Sequence, residues 1–456
     1  MHTDRKKHEA KRGCHSALLL YLCSSVFICG LISGCAAEKH PEAQRGVSDF
    51  FVGDYRAARD VFRPFAAKTD EDYVLNNVRL GSASLVDYDL GEAEAAFYRA
   101  YEVINSVNVN DAGRSSAAVL LAEKLKVWKG EPFERAMTNF YLGVIYYIQQ
   151  DYSNARAAFE NALFKLRDYG EGGPKGDEYR DVESNFSIAY IMLGKCWLKL
   201  GNEEKARDMF SRVAKLRPDL KALVESERMD RSNVLLIVDY GNGPQKVLEG
   251  DNSVVAFEPH PTQVGPVPRP IVRVNGQVVH INGVGPAPVD LLEMAQDRRW
   301  QSIDTIRVIK SVVGTGLMVA GAYQGTKEHP DAGSAAALLI GGALLKATAT
   351  GDVRHWEMLP RSVFIVPLYL PPGRHNVAVS FNDGTGQTWR GIVAPERGEA
   401  AYYIRTSRWG GVKEWPPANM PSAQEFAVKQ KPVEPAKSDE PKGPAKQNIS
   451  SSVYDR

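Results

Sequence analysis

Gly53-Asp54-Tyr55-Arg56-Ala57-Ala58-Arg59-Asp60-Val61-Phe62 and Asp151-Tyr152-Ser153-Asn154-Ala155-Arg156-Ala157-Ala158-Phe159 decide the fold, because the two stretches are versions of one pattern. In each, an alanine stands four positions before a phenylalanine, so a small and a large apolar residue share one helical face a turn apart. The spacing recurs as Ala58/Phe62, Ala93/Phe97, Ala155/Phe159 and Ala206/Phe210. Thirteen residues before the last three alanines begin the pairs Leu80-Gly81, Leu142-Gly143 and Leu193-Gly194. A repeated unit of two short helices cannot bury its apolar face alone, so the pattern predicts stacked hairpins sharing one continuous core.

The pattern resembles the tetratricopeptide repeat (TPR), in which Leu-Gly belongs to the first helix, A, and the small residue to the second, B. The third unit matches throughout, with Tyr146 at the aromatic position of helix A, Asp151-Tyr152 at the turn and Ala162 closing helix B. The fourth adds Trp197, Gly201 and a terminating Pro218. Successive alanines lie 35, 62 and 51 residues apart, where a regular array repeats about every 34. Two insertions therefore interrupt the array: one after helix B of the second unit that carries Val127-Trp128-Lys129-Gly130-Glu131-Pro132-Phe133-Glu134-Arg135 just ahead of the third, the other a glycine-rich, charged loop at 168–181. The resemblance implies a curved solenoid at residues 45–225 whose concave side receives a protein segment, a surface that binds rather than catalyses.

Outward from the array, the charged stretch 225–231 is expected to be a hinge, after which the apolar period changes from helical to alternating. Residues 233–239 form an apolar run of strand length, ended by the turn cluster Tyr240-Gly241-Asn242-Gly243-Pro244. Asn275-Gly276 between alternating residues at 271–281 predicts a hairpin with a type I′ turn. Later strands are expected at 363–370, 375–381, 388–393 and 401–406, together one antiparallel β-rich domain over 231–410. Into it is inserted a helical segment, 289–350, which starts with a helix at 289–310. Two glycine-rich apolar pieces follow at 312–323 and 335–349, where Gly314, Gly316, Gly321, Gly341 and Gly342 permit close helix contact. The expected fold class is thus multidomain: an all-α TPR-like solenoid, then a β-rich (α+β) domain with an inserted glycine-rich helical hairpin. Each apolar piece is short of the roughly 20 residues a bilayer span needs, which favours a hairpin buried on the sheet. The competing reading makes 312–349 a membrane-active or pore-forming element.

At the amino terminus, Arg5, Lys6, Lys7, Lys11 and Arg12 precede an apolar run at 17–32 that ends in Ser33-Gly34-Cys35. Charge, apolar stretch and small residues in that order mark a processed export signal, residues 1–34. Ile32-Ser33-Gly34-Cys35 resembles a bacterial lipobox, which implies acylation (diacylglycerol, palmitate-type chains) on the Cys35 thiol and a short lipidated linker at 35–44. Ala36, in place of Asp, implies sorting to the outer membrane, periplasm-facing, with the inner membrane as the alternative. Cleavage would remove five Lys/Arg and two Asp/Glu, so the balance becomes 51 to 53 and the net charge moves from +1 to −2. Acyl chains rather than charge would hold such a chain on a membrane, and the same balance argues against nucleic acid as a partner. Of the five cysteines only Cys196 would remain a free thiol, so no intrachain disulfide is expected.

Motifs for catalysis are missing from the sequence: there is no His-Glu-x-x-His, no Gly-x-Ser-x-Gly and no phosphate-binding Gly-Lys-Ser/Thr loop. Glu131 and Glu134 stand three apart at a helix start, where carboxylates favour the N-terminus, and Cys196 reads as a small buried hydrophobe. No enzyme activity, cofactor or metal is expected. From about residue 416 to 456 the chain fills with Pro, Lys, Glu and Ser, a composition unable to bury enough surface to fold.

Taken together, residues 45–410 resemble a family of bacterial lipoproteins that join a tetratricopeptide array to a C-terminal β-rich domain. The resemblance lies in Trp128 to Arg135, the strand and turn at 234–244, the glycine-rich pair, and Asp352-Val353-Arg354-His355-Trp356-Glu357-Met358-Leu359-Pro360 leading into 367–373. It implies an envelope scaffold that binds a periplasmic or envelope protein partner and is held on the membrane by lipid, in cell-wall or outer-membrane assembly.

Overall fold

A computed structural model describes residues 41–105, 127–166, 168–169, 181–182, 184–249, 254–263, 265–281, 283–297 and 353–420. Eight helices carry the repeats: α1 (Pro41–Phe51), α2 (Tyr55–Ala66), α3 (Tyr73–Val86), α4 (Leu90–Ile104), α5 (Pro132–Ile148), α6 (Tyr152–Phe164), α7 (Ser187–Lys199) and α8 (Glu203–Leu216). They pack as four A/B pairs, α1/α2, α3/α4, α5/α6 and α7/α8. Every B helix begins the same way: the side chains of Asp54, Asp89, Asp151 and Asn202 accept the amides of Ala57, Glu92, Asn154 and Lys205. Such caps satisfy amides that the first turn leaves without a partner. The residue before each cap takes the left-handed conformation, with φ of 89° at Gly53, 59° at Tyr88, 63° at Gln150 and 74° at Gly201. Only two of the four are glycine, so Tyr88 and Gln150 carry a backbone cost that the turn imposes.

Inside each pair the small–large pattern does the packing. Ala58, Ala93, Ala155 and Ala206 are fully buried beside buried Phe62, Phe97, Phe159 and Phe210, and Leu80, Leu142 and Leu193 are buried as well. A methyl group added at Gly81 would meet the Phe97 ring at 2.9 Å, at Gly143 the Phe159 ring at 2.5 Å, and at Gly194 the Phe210 ring more closely still. Gly46 stands in the same relation to Phe62, at 2.8 Å. It lies twelve residues before Ala58, as the other glycines do before theirs, and its predecessor Arg45 in place of leucine hid the match.

The expected hinge at 225–231 is a helix, α10 (Glu227–Arg231), following a 3-10 turn (Pro218–Leu220) and α9 (Lys221–Val224). Met229 anchors it by burying its side chain completely, so charge on the outer face did not mean an open linker.

Beyond it, β3 (Val234–Tyr240) and β9 (Ser362–Leu368) are buried at all seven positions each. A strand covered on both faces reads as a continuous apolar run rather than an alternation. They form the middle of a four-stranded sheet, order β12-β3-β9-β8, with β12 (Ala400–Arg405) and β8 (Val289–Asp290) at its edges. A five-stranded sheet, order β13-β11-β10-β6-β7, comprises β6 (Ile271–Val274), β7 (Gln277–Val278), β10 (Gly373–Ser380), β11 (Gly386–Ala394) and β13 (Val412–Glu414). Phe381 joins the two sheets by ring contacts with Tyr240 and Phe364. The four-stranded sheet therefore lies between the helices and the second sheet. A separate hairpin pairs β4 (Gln245–Glu249) with β5 (Val254–Glu258), and a two-residue ladder, β1 (Asp168–Tyr169) with β2 (Asp181–Val182), pinches the base of the loop expected there.

Asn275 and Gly276, with φ of 51° and 84°, form the expected turn between β6 and β7. The sheets are not purely antiparallel, however: β12 runs parallel to β3, and β13 parallel to β11. β9 pairs antiparallel along one side of β3, and β12 takes the other.

The helix expected over 289–310 starts later. Val289 and Asp290 pair with Val363 and Ser362 as β8, and helix α11 (Leu291–Gln296) begins because Asp290 caps the Leu292 amide. Asp290 also takes both arms of Arg361, at 2.6 and 2.8 Å. Residues 416–420, expected in the tail, close on the body: the Asn419 side-chain amide donates to the Asp87 carboxylate at 2.7 Å. Helices and sheets make one compact unit that extends to Met420, so the change near residue 231 is one of secondary structure rather than a gap between separate bodies. The signal 1–34, Cys35, the glycine-rich hairpin 312–349 and the tail from residue 421 lie outside the described residues. Among the described residues no helix is long and apolar enough to cross a membrane.

Candidate protein-interaction surface

A tetratricopeptide-like array presents two sets of helices, and the resemblance implied that a partner is received on its concave side. The face of the A helices α3, α5 and α7 is covered by the chain itself. Every residue of α3 is buried, as are Ser187 to Cys196 of α7 and most of α5. Helices α3 and α5 touch β12, and α7 touches β9.

Polar side chains of the A helices reach specific groups on the β-rich part. From α5, the Tyr141 hydroxyl donates to the Asp239 carboxylate at 2.6 Å and Tyr147 to Glu399 at 2.7 Å. From α7, the Lys195 ammonium donates to Glu399 at 2.7 Å, to the Met229 carbonyl at 2.8 Å and to the Ser232 hydroxyl at 2.9 Å. From α3, Arg79 holds Glu357 with both arms, and the Ser82 hydroxyl accepts the Trp356 indole N–H at 3.0 Å. Trp356 itself is fully buried between Phe97 and Tyr141. The segment 353–360 thus packs against the helices, with the Trp356 side chain buried among them.

The electrostatics make loss of either partner in this contact costly. Lys195 and Glu399 are both wholly inaccessible. A buried ion pair adds little net stability, but loss of one partner strands the other charge at about 3–5 kcal/mol. Burial alone would raise the Glu399 carboxyl; Lys195, Lys199 and the Ser232 hydroxyl outweigh it and hold it below its ordinary value. Glu357 is likewise lowered, burial being overcome by Arg79. Burial wins at Asp239, whose carboxyl is raised in spite of Arg405 and the hydroxyls of Tyr141 and Tyr403.

Glu131 and Glu134 form the capping box of α5, with the Glu131 amide donating to Glu134 at 2.7 Å, as their spacing suggested. Their burial adds a second task. Glu131 pairs with Lys246 of β4 at 2.7 Å, and Glu134 accepts the Trp356 amide at 2.6 Å. Burial pushes the Glu134 carboxyl up to about 8. Cys196 is fully buried, and burial raises its thiol.

What the array leaves open is the outer side. Helix α8 buries only Ala206, Phe210 and Val213, and on α4 Tyr98 is 47% exposed. Tyr98 stacks on Tyr101 with ring centroids 5.7 Å apart, and Tyr101 receives the Asn161 side-chain amide at 3.5 Å. Beside them lies half-buried Tyr146 of α5, its hydroxyl pushed up to about 12 by burial and by the neighbouring Glu94. The equivalent Trp197, one repeat on, is half-buried between two cations, Lys205 at 4.3 Å and Arg156 at 5.1 Å from the ring centroid. Tyr146 and Trp197 are therefore surface-facing aromatics, unlike the other motif residues, which are core. Lys195, Glu399, Asp239 and Tyr88 escaped the sequence reading; the signal available was a charge inside an apolar run, as at Asp239 within β3.

Similarity to known proteins is local. The solved crystal structure of MamA is similar at 15% identity with a TM-score of 0.26, over 38% of this chain and 75% of that one. No curated protein matches the sequence. The tetratricopeptide repeat family matches residues 189–219, the span of α7, α8 and the turn that follows. The chain contains a tetratricopeptide repeat, a module that generally binds protein partners.

Proposed function

We propose that this protein is a lipid-anchored scaffold of the bacterial envelope whose helical array binds a periplasmic protein, in cell-wall or outer-membrane assembly. The observation that carries the binding role is the division of the array's two sides. The A-helix face of α3, α5 and α7 is packed against the chain's own β-rich part. The outer side keeps exposed Tyr98 beside half-buried Tyr101 and Tyr146, and aromatic residues of this kind supply large contact area with few rotors to immobilise. The anchor rests on the resemblance of Ile32-to-Cys35 to a lipobox, and the outer-membrane location on Ala36 in place of Asp.

A photo-crosslinking amino acid at position 98, introduced into the full chain in cells, is expected to give one defined protein adduct. The same group at exposed Arg397, in the loop between β11 and β12, is expected to give none. Identical adducts from both positions, or no adduct from position 98, would refute binding through this side of the array.

A further inference from the structure

The last described strand is held by an arrangement that works as a peptide-recognition site. β13 is three residues long and pairs with β11 through Thr388/Val412, Trp389/Lys413 and Arg390/Glu414. Val412 and Glu414 point to solvent, while Lys413 and Trp415, on the alternate side, enter a cleft. The cleft has a helical wall, Tyr55 of α2 with Asp87 and Tyr88 of the α3–α4 turn, and a sheet wall, Trp389 and Tyr402. The Lys413 ammonium sits over the Tyr55 ring at 4.6 Å and the Trp389 ring at 5.5 Å. Trp415 packs edge-on against Tyr402, Tyr88 and Trp389, at 4.7, 5.2 and 5.7 Å. Asn419 then donates to Asp87. An edge strand read by two pockets for alternate residues is the geometry by which sheets bind extended peptides, and an aromatic face is a selective seat for a cation.

We propose that the cleft walled by Tyr55, Asp87, Tyr88, Trp389 and Tyr402 is a recognition site for an extended segment presenting a basic residue two positions before a tryptophan, held shut in cis by residues 412–415. Its partner is a protein segment of that chemistry that displaces β13 and adds to the free edge of β11. β13 itself makes three residue pairs with β11, and exchange requires these pairs, the Trp415 amide bond to the Arg390 carbonyl at 2.8 Å and the Lys413, Trp415 and Asn419 side-chain contacts to open together. The inference depends neither on the lipid anchor nor on the outer side of the array.

The test uses the full chain and a fluorescent peptide with the sequence of residues 409–420, followed by anisotropy. Removing the cis anchor with Trp415→Ala leaves all five cleft residues in place. That variant is expected to bind the peptide about tenfold or more tightly than the wild type, because the open state is no longer suppressed. The same peptide with the residues corresponding to Lys413 and Trp415 replaced by alanine, and that corresponding to Trp409 kept, is expected not to bind. Equal binding by wild type and variant, or equal binding of both peptides, would overturn the proposal. If Trp415→Ala does not fold, Lys413→Ser serves in the same measurement with the same expectations. A wild-type dimer in light scattering that Trp415→Ala abolishes would also overturn it, since exchange would then be between two copies of this chain.

Discussion

The Tyr88 hydroxyl makes both hydrogen bonds that a neighbouring strand would make with Tyr403: it donates to the Tyr403 carbonyl at 2.6 Å and accepts the Tyr403 amide at 2.9 Å. Strand β12 is an edge of its sheet, and an edge left open invites pairing with other chains. Here the left-handed turn before α4 aims one tyrosine at the middle of that edge. Tyr88→Phe should keep the ring contacts and orphan two buried backbone groups, at about 1–3 kcal/mol for each group left unpaired. A chemical denaturation curve with an unchanged midpoint would show that the hydroxyl carries no load.

Gly143→Leu tests the repeat packing. Any side chain there must displace the Phe159 ring, which already lies 2.5 Å from where a Cβ would stand. Overpacking of this kind costs roughly 1–3 kcal/mol, so the melting temperature should fall. An unaltered melting profile would mean that α5 and α6 do not cross at Gly143.

Acid should weaken the join between helices and sheets. The carboxyls of Glu399 and Glu357 are lowered in the folded chain, so the unfolded chain binds more protons than the native one as pH falls. The stability they contribute is complete above the ordinary glutamate range, and it is lost as pH drops through their depressed folded values. Replacing Lys195 by Met should cost about 3–5 kcal/mol at neutral pH, because Glu399 is left buried without its principal partner. The double change Lys195→Met with Glu399→Leu should recover most of that loss and flatten the acid limb of the stability curve. A double variant as unstable as the single one would argue that packing, not charge, sets the effect.

Cys35→Ser addresses the anchor. A lipidated cysteine buries many methylenes at about 0.8 kcal/mol each, so the wild-type chain should resist carbonate extraction and take up supplied fatty acid. The variant should lose the label, and its fractionation should change to unprocessed inner-membrane or soluble periplasmic protein. An unlabelled variant still found with the outer membrane would remove the anchor from the proposed function.

Local periodicity was enough to locate the repeats. Ala58/Phe62 and its three counterparts lie about one helical turn apart, and each aspartate or asparagine cap acts on the amide three residues away, so sequence neighbours alone specify these helices. The same holds for the Asn275-Gly276 turn and for the apolar runs of β3 and β9. Cys196 and the Glu131/Glu134 pair were legible for a related reason, since burial and capping follow from the immediate helix.

Only the tertiary structure decided what covers the A helices, and with it which side of the array stays free. Lys195 meets Glu399 across 204 positions, Arg79 meets Glu357 across 278 and Tyr88 meets Tyr403 across 315. An apolar period reports that a face is buried but not by which segment, and a buried charge leaves no local trace of its partner. The parallel seating of β12 beside β3, the late start of α11 and the closure of residues 415–419 on the turn of the second repeat have the same origin. Each depends on which edges and pockets remained vacant once distant parts of the chain had packed, a competition that the order of residues along the chain does not display.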